Sequence, residues 1–128
     1  MPPGPVTAEA LLTVSDLVFI DPMSTGHSRA VEGGKAKDYH GFGKDVEQVT
    51  ELIRLWCTRE DRWMSPKFLI GESYGTVRAV SVAERLMSRH SLALNGIVLV
   101  SSVLDFGSQD FEHHKTDEAC LNFLPTYA

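Results

Sequence analysis

Lys67-Phe68-Leu69-Ile70-Gly71-Glu72-Ser73-Tyr74-Gly75-Thr76 is the stretch on which the fold turns. Its first four residues end in an apolar run, the pattern of a buried strand covered on both faces. Beyond the glycine-flanked serine, Val77, Val80, Val82, Ala83, Leu86 and Met87 recur at helical spacing, and the pattern fades by His90. A strand therefore passes into a helix through a very short turn, with Ser73 at its apex.

The same alternation extends to either side. Ile97-Val98-Leu99-Val100 predicts another strand, ending in Ser101-Ser102. Upstream, Leu17-Val18-Phe19-Ile20 is a continuous apolar run stopped by Asp21-Pro22, and it predicts a first strand. Residues 23–37 are rich in Ser, Gly and Lys without periodicity and predict a loop. Asp45 with Gln48 three residues later has the form of a capping box, followed by Val46, Val49, Leu52, Ile53 and Trp56 on one helical face. Pro66 closes the polar break after that helix. The order strand, helix, strand, helix, strand predicts a single α/β domain over residues 1–128. Its strands are expected to be parallel, with right-handed crossovers and helices on both faces. Three strands alone leave two open sheet edges, which predicts pairing with a second copy or exposed apolar surface.

Composition narrows the classes of function. The 128 residues are 43% hydrophobic and 23% charged, ordinary for a globular domain. A formal net charge of −5, with no basic cluster, argues against nucleic acid or an anionic membrane as partner. No apolar stretch approaches the ~20 residues of a membrane span. Met1-Pro2-Pro3-Gly4-Pro5 lacks the basic start and apolar run of a signal peptide. Cys57 and Cys120 match no metal spacing, and two free thiols are expected rather than a disulfide. No cofactor or metal is implied.

A Gly-x-Ser-x-Gly pattern gains meaning from its context. Placed between a strand and a helix, it has the form of a nucleophile elbow, a strained turn that lifts the serine hydroxyl above a sheet. The two glycines, Gly71 and Gly75, are expected to remove Cβ atoms where strand and helix approach. The Tyr74 N–H, at the positive end of the helix dipole, is placed to stabilise a developing oxyanion. The plain alternative is a strand-to-helix turn with an incidental serine.

The run Gly71-Glu72-Ser73-Tyr74-Gly75-Thr76 resembles the active-site motif of the serine carboxypeptidase family, bacterial members especially. Asp16-Leu17-Val18-Phe19-Ile20-Asp21-Pro22 with Thr25-Gly26-His27-Ser28 is similar to the family's strand and following loop. Leu94-Asn95-Gly96-Ile97-Val98-Leu99-Val100 is similar to its next strand, and Asp105 falls where many members carry Asp. The likeness spans most of residues 14–106 and implies part of an α/β-hydrolase core. It implies Ser73 as nucleophile, the Tyr74 amide as an oxyanion donor, and Glu72 as the residue that shares a proton with the substrate's terminal carboxylate. Two carboxylates in contact cannot both ionise, so acid pH is expected to favour the reaction. The bland role for Glu72 is to brace the turn. Family members are often secreted, periplasmic, lysosomal or vacuolar.

The departures are specific. The family's Gly-Thr-Gly-Tyr loop reads Ser24-Thr25-Gly26-His27 here, and His27 follows the first strand rather than the last, where hydrolases of this fold carry their base. The family's Asn-Gly-Gly-Pro-Gly oxyanion segment and its catalytic Asp and His have no match in the chain, so only part of the core is expected. Asp105, His113 and His114 follow Ser73 in the serine, acid, histidine order. They are weak acid and base candidates; a turn cap and a solvated histidine pair are the plain readings. Adjacent histidines without a third ligand make no metal site.

The resemblance implies a peptidase acting on a peptide's C-terminus. An esterase or acyltransferase of the same fold is the alternative, because fold and serine do not dictate the leaving group. A non-catalytic interaction module working through the open sheet edges is the reading from another class.

Overall fold

The computed structural model describes residues 11–102 and 104 of the 128. Two compact units divide the chain, Met1–His40 and Gly41–Ala128. Asp105, His113, His114 and Cys120 lie outside the described residues.

The second unit is mixed α/β. Its elements are α1 (Phe42–Arg59), β1 (Phe68–Glu72), α2 (Tyr74–His90) and β2 (Gly96–Val100). The two strands pair in parallel, with Phe68 opposite Gly96 and Glu72 opposite Val100. Antiparallel strands can be joined by a tight hairpin, whereas a parallel pair needs a crossover, and α2 supplies it. The strand reaches further than its apolar run, because Gly71 and Glu72 both lie within the ladder.

Helices on both faces were expected; among the described residues α2 alone packs on the sheet, and α1 packs on α2. The reason is that α1 buries its apolar face against α2 rather than against the sheet. Ile97 and Leu99, on the face toward α2, stay 37% and 42% exposed. The buried seam joins Val46, Val49, Thr50 and Cys57 of α1 with Thr76, Ala79, Val82 and Leu86 of α2, and Leu92 beyond it. Leu52, Val80 and Met87, expected inside, are 45%, 51% and 53% exposed. Small residues such as Thr76 and Ala79 take the inner positions of α2 instead. Burial pushes the Cys57 thiol up, away from the reactive thiolate form.

The capping box is not formed. The first helix starts earlier, at Phe42, with Gly41 as N-cap at φ 94°. Asp45 sits inside the first turn, its N–H donating to Gly41 C=O at 2.9 Å. Gln48 Nε2 donates to Lys44 C=O at 3.0 Å. The turn after α1 is tied by Lys67, whose ammonium donates to the carbonyls of Arg62, Trp63 and Ser65. Lys67 and Asn95 then exchange bonds that start the two strands in register: Lys67 N–H to Asn95 Oδ1, and Asn95 N–H to Lys67 C=O.

In the first unit, Leu17–Ile20 is not a strand. It joins no ladder among the described residues, and Phe19 is 89% exposed. Apolar character favours burial, but strand formation also requires a partner edge, which a local sequence run does not specify. The turn that follows is well built. Asp21 Oδ2 accepts the His27 N–H at 2.9 Å, and Asp21 C=O accepts the Ser28 hydroxyl at 2.7 Å. At Gly26, with φ +44°, a Cβ would stand 1.9 Å from Asp21 Oδ2, so glycine is required for the loop to wrap the carboxylate.

The parallel sheet has one bare side. Pairing puts Phe68, Ile70, Val98 and Val100 on one face, 65%, 57%, 48% and 45% exposed. The exposed apolar surface expected from an open sheet is therefore present. No described helix is long and apolar enough to cross a membrane.

Candidate active site

The turn between β1 and α2 has an unusual backbone geometry. Ser73 stands between β1 and α2 at φ 52°, ψ −121°. Ser24, Asp61, Ser91 and Ser101 also have positive φ, so the sign of φ alone distinguishes nothing. Ser91, however, sits at ψ 28° in the ordinary left-handed well. Ser73, with its negative ψ, lies outside that well. A residue held in such a sparsely populated region costs about 1–3 kcal/mol and persists only where its surroundings over-determine it.

Those surroundings are explicit. The Ser73 N–H donates to Val100 C=O at 3.0 Å, continuing the parallel ladder one residue past β1. The Ser73 carbonyl accepts twice from Thr76, from its N–H at 2.9 Å and from its hydroxyl at 2.7 Å. Thr76 is 2% exposed, so this anchor is shielded from competing water. In a trans peptide the next N–H points opposite to the carbonyl. Holding the Ser73 carbonyl toward α2 therefore turns the Tyr74 N–H outward. As the first helical residue, Tyr74 has no intrahelical acceptor for that N–H.

The serine's own hydroxyl makes no cap bond, although Ser73 is the N-cap of α2. An N-cap serine ordinarily adopts extended backbone and spends its oxygen on the second or third helical N–H. Here the backbone twist takes the exposed side chain away from that duty. This hydroxyl therefore sits at the positive dipole end of a 17-residue helix.

Only one of the two glycines answers to a close approach. A Cβ on Gly71 would stand 2.2 Å from Gly75 O, 2.5 Å from Gly75 C and 2.9 Å from Thr76 N. A Cβ on Gly75 would meet nothing within 4 Å. The expectation that both relieve a collision is thus corrected: strand β1 runs close beneath the first turn of α2 at Gly71, whereas Gly75 faces open space.

Around Tyr74 lies a group that local motifs do not reveal. The Arg78 guanidinium lies 5.0 Å from the centre of the Tyr74 ring. Its Nε donates to Asp45 Oδ2 at 2.6 Å, joining residues 33 positions apart. Phe42 meets the Tyr74 ring edge-on, centroids 6.4 Å apart. Burial first, and then the charge of Asp45, hold the Tyr74 phenol above its usual range. The spacing of Tyr74 and Arg78, one turn apart on a helix, was visible in the sequence; Asp45 as their partner was not.

Glu72 ends β1 with an exposed side chain, and its carboxylate enters no ion pair among the described residues. His27 is exposed in the first unit, its backbone N–H held by Asp21. No cluster of three His, Cys, Asp or Glu that could hold a metal occurs among the described residues. No known protein family, curated protein or solved structure matches the chain.

Proposed function

We propose that this protein is a serine carboxypeptidase-like hydrolase that releases C-terminal residues through an acyl-enzyme on Ser73. In this reading the parallel pair and its helices are part of an α/β-hydrolase core. One observation carries it: Ser73 is held at φ 52°, ψ −121° with its hydroxyl uncommitted to capping. Ser73 Oγ attacks the scissile carbonyl carbon and loses its proton to a base. The carbonyl oxygen becomes an oxyanion facing the Tyr74 N–H, and the amine leaves with a proton. Asp105 with His113 or His114 is the chain's own candidate for acid and base. Glu72, exposed beside the nucleophile, meets the substrate's terminal carboxylate.

The test compares one peptide with a free C-terminus, its C-terminal amide and a simple ester. Hydrolysis of the free acid is expected to exceed that of the amide by roughly tenfold, the worth of a hydrogen bond to a charged group, and to be faster at acid than at neutral pH. Equal rates on the free acid and the amide, or a flat pH profile, would point instead to an esterase or acyltransferase. The bare face of Phe68, Ile70, Val98 and Val100 favours a second reading, an interaction module pairing with another chain. Inertness toward all three substrates would favour it.

A further inference from the structure

We infer that Arg78 is a positioning residue for the oxyanion-binding end of α2, held by Asp45 and acting on that end through Tyr74. This rests on the hydrolase reading above and names a residue which that reading does not use.

The two helix N-termini meet at this point. Asp45 occupies the first turn of α1, and Tyr74 opens α2. A carboxylate in a first turn suits its own helix, because the dipole there is positive. For α2 it is a liability. An uncompensated negative charge beside the end that must receive an oxyanion opposes the charge that develops in the reaction. Asp45 is 14% exposed and Arg78 25%, so water screens this pair only partly. Arg78 cancels the Asp45 charge at a 2.6 Å contact and leaves the α2 end positive.

Arg78 also fixes the ring next to the nucleophile. Its guanidinium covers one side of Tyr74, and Phe42 meets the ring edge-on. These two contacts favour one placement of the Tyr74 ring, which is 39% exposed. With Thr76 holding the Ser73 carbonyl, the Ser73–Tyr74 peptide is gripped from both of its residues.

The test measures the rate at which a fluorophosphonate phosphonylates Ser73 in the full chain, with loss of fluoride, beside thermal stability. Arg78→Met keeps the stem and loses the charge, and it is expected to react roughly tenfold more slowly. The double variant Arg78→Met/Asp45→Asn removes both charges and is expected to recover the part of that loss due to the Asp45 charge. Asp45→Asn alone keeps an acceptor for Arg78 and should react at least as fast as the wild type; it serves if Arg78→Met does not fold. Equal rates for wild type and Arg78→Met, no recovery in the double variant, or a slowed Asp45→Asn would each overturn the inference while Ser73 stays reactive. A wild-type Ser73 that never reacts would instead sink the hydrolase reading, and this inference with it.

Discussion

Replacing Gly71 by alanine is expected to destabilise the protein by about 3–5 kcal/mol, as much as a severe core mutation. The added Cβ would stand 2.2 Å from Gly75 O, 2.5 Å from Gly75 C and 2.9 Å from Thr76 N. All three are backbone atoms, so no side chain can swing aside. The first turn of α2 must lift from β1, and the bonds from Thr76 to the Ser73 carbonyl go with it. Domains of this kind have only ~5–15 kcal/mol of stability to lose. A thermal melt should show the midpoint falling on the order of 15 °C. Gly75→Ala is the matched control. Its Cβ meets open space and lies in a helix, where alanine is favoured by roughly 0.5–1 kcal/mol. A Gly71→Ala protein as stable as the wild type would show that β1 and α2 do not approach as described.

Substitutions at Ser73 should separate stability from reactivity. Ser73→Ala and Ser73→Gly both remove the nucleophile, and each is expected to abolish covalent modification at this position. Their stabilities should differ. Alanine keeps a Cβ and so keeps the strain of φ 52°, ψ −121°. Glycine relieves it, gaining about 1–3 kcal/mol and returning up to ~1 through the freer unfolded chain. Ser73→Gly should therefore melt above Ser73→Ala by several degrees. A glycine variant less stable than the alanine variant would mean that the turn carries no strain. Strain retained at a serine, where glycine would relieve it, is the usual mark of a residue kept for chemistry.

How far the sequence reveals this structure depends on how local each feature is. The β1–elbow–α2–β2 unit was legible because its signals are contiguous: an apolar run, a glycine-flanked turn, a helical period and a second run. Leu17–Ile20 misled because a strand needs a partner edge, and apolar character does not name one. The start of α1 misled for a related reason. Asp45 and Gln48 have capping-box spacing, but the Asp45 carboxylate binds Arg78, 33 residues away. Inner positions filled by Thr76 and Ala79, with Val80 and Met87 outside, reflect close packing that hydropathy does not register. At the candidate site, the motif alone pointed to Ser73 and the Tyr74 amide. The separate roles of Gly71 and Gly75 required knowing which Cβ would meet backbone, and Thr76 and Arg78 were visible only from geometry.

The most direct measurement of Ser73 as a nucleophile is covalent labelling of the full chain with a fluorophosphonate, read by intact mass and peptide mapping. The predicted result is a single adduct on Ser73, absent in Ser73→Ala and lost when the protein is unfolded before labelling. A folded protein whose Ser73 stays unmodified, or an adduct spread over other exposed serines at similar rates, would contradict it.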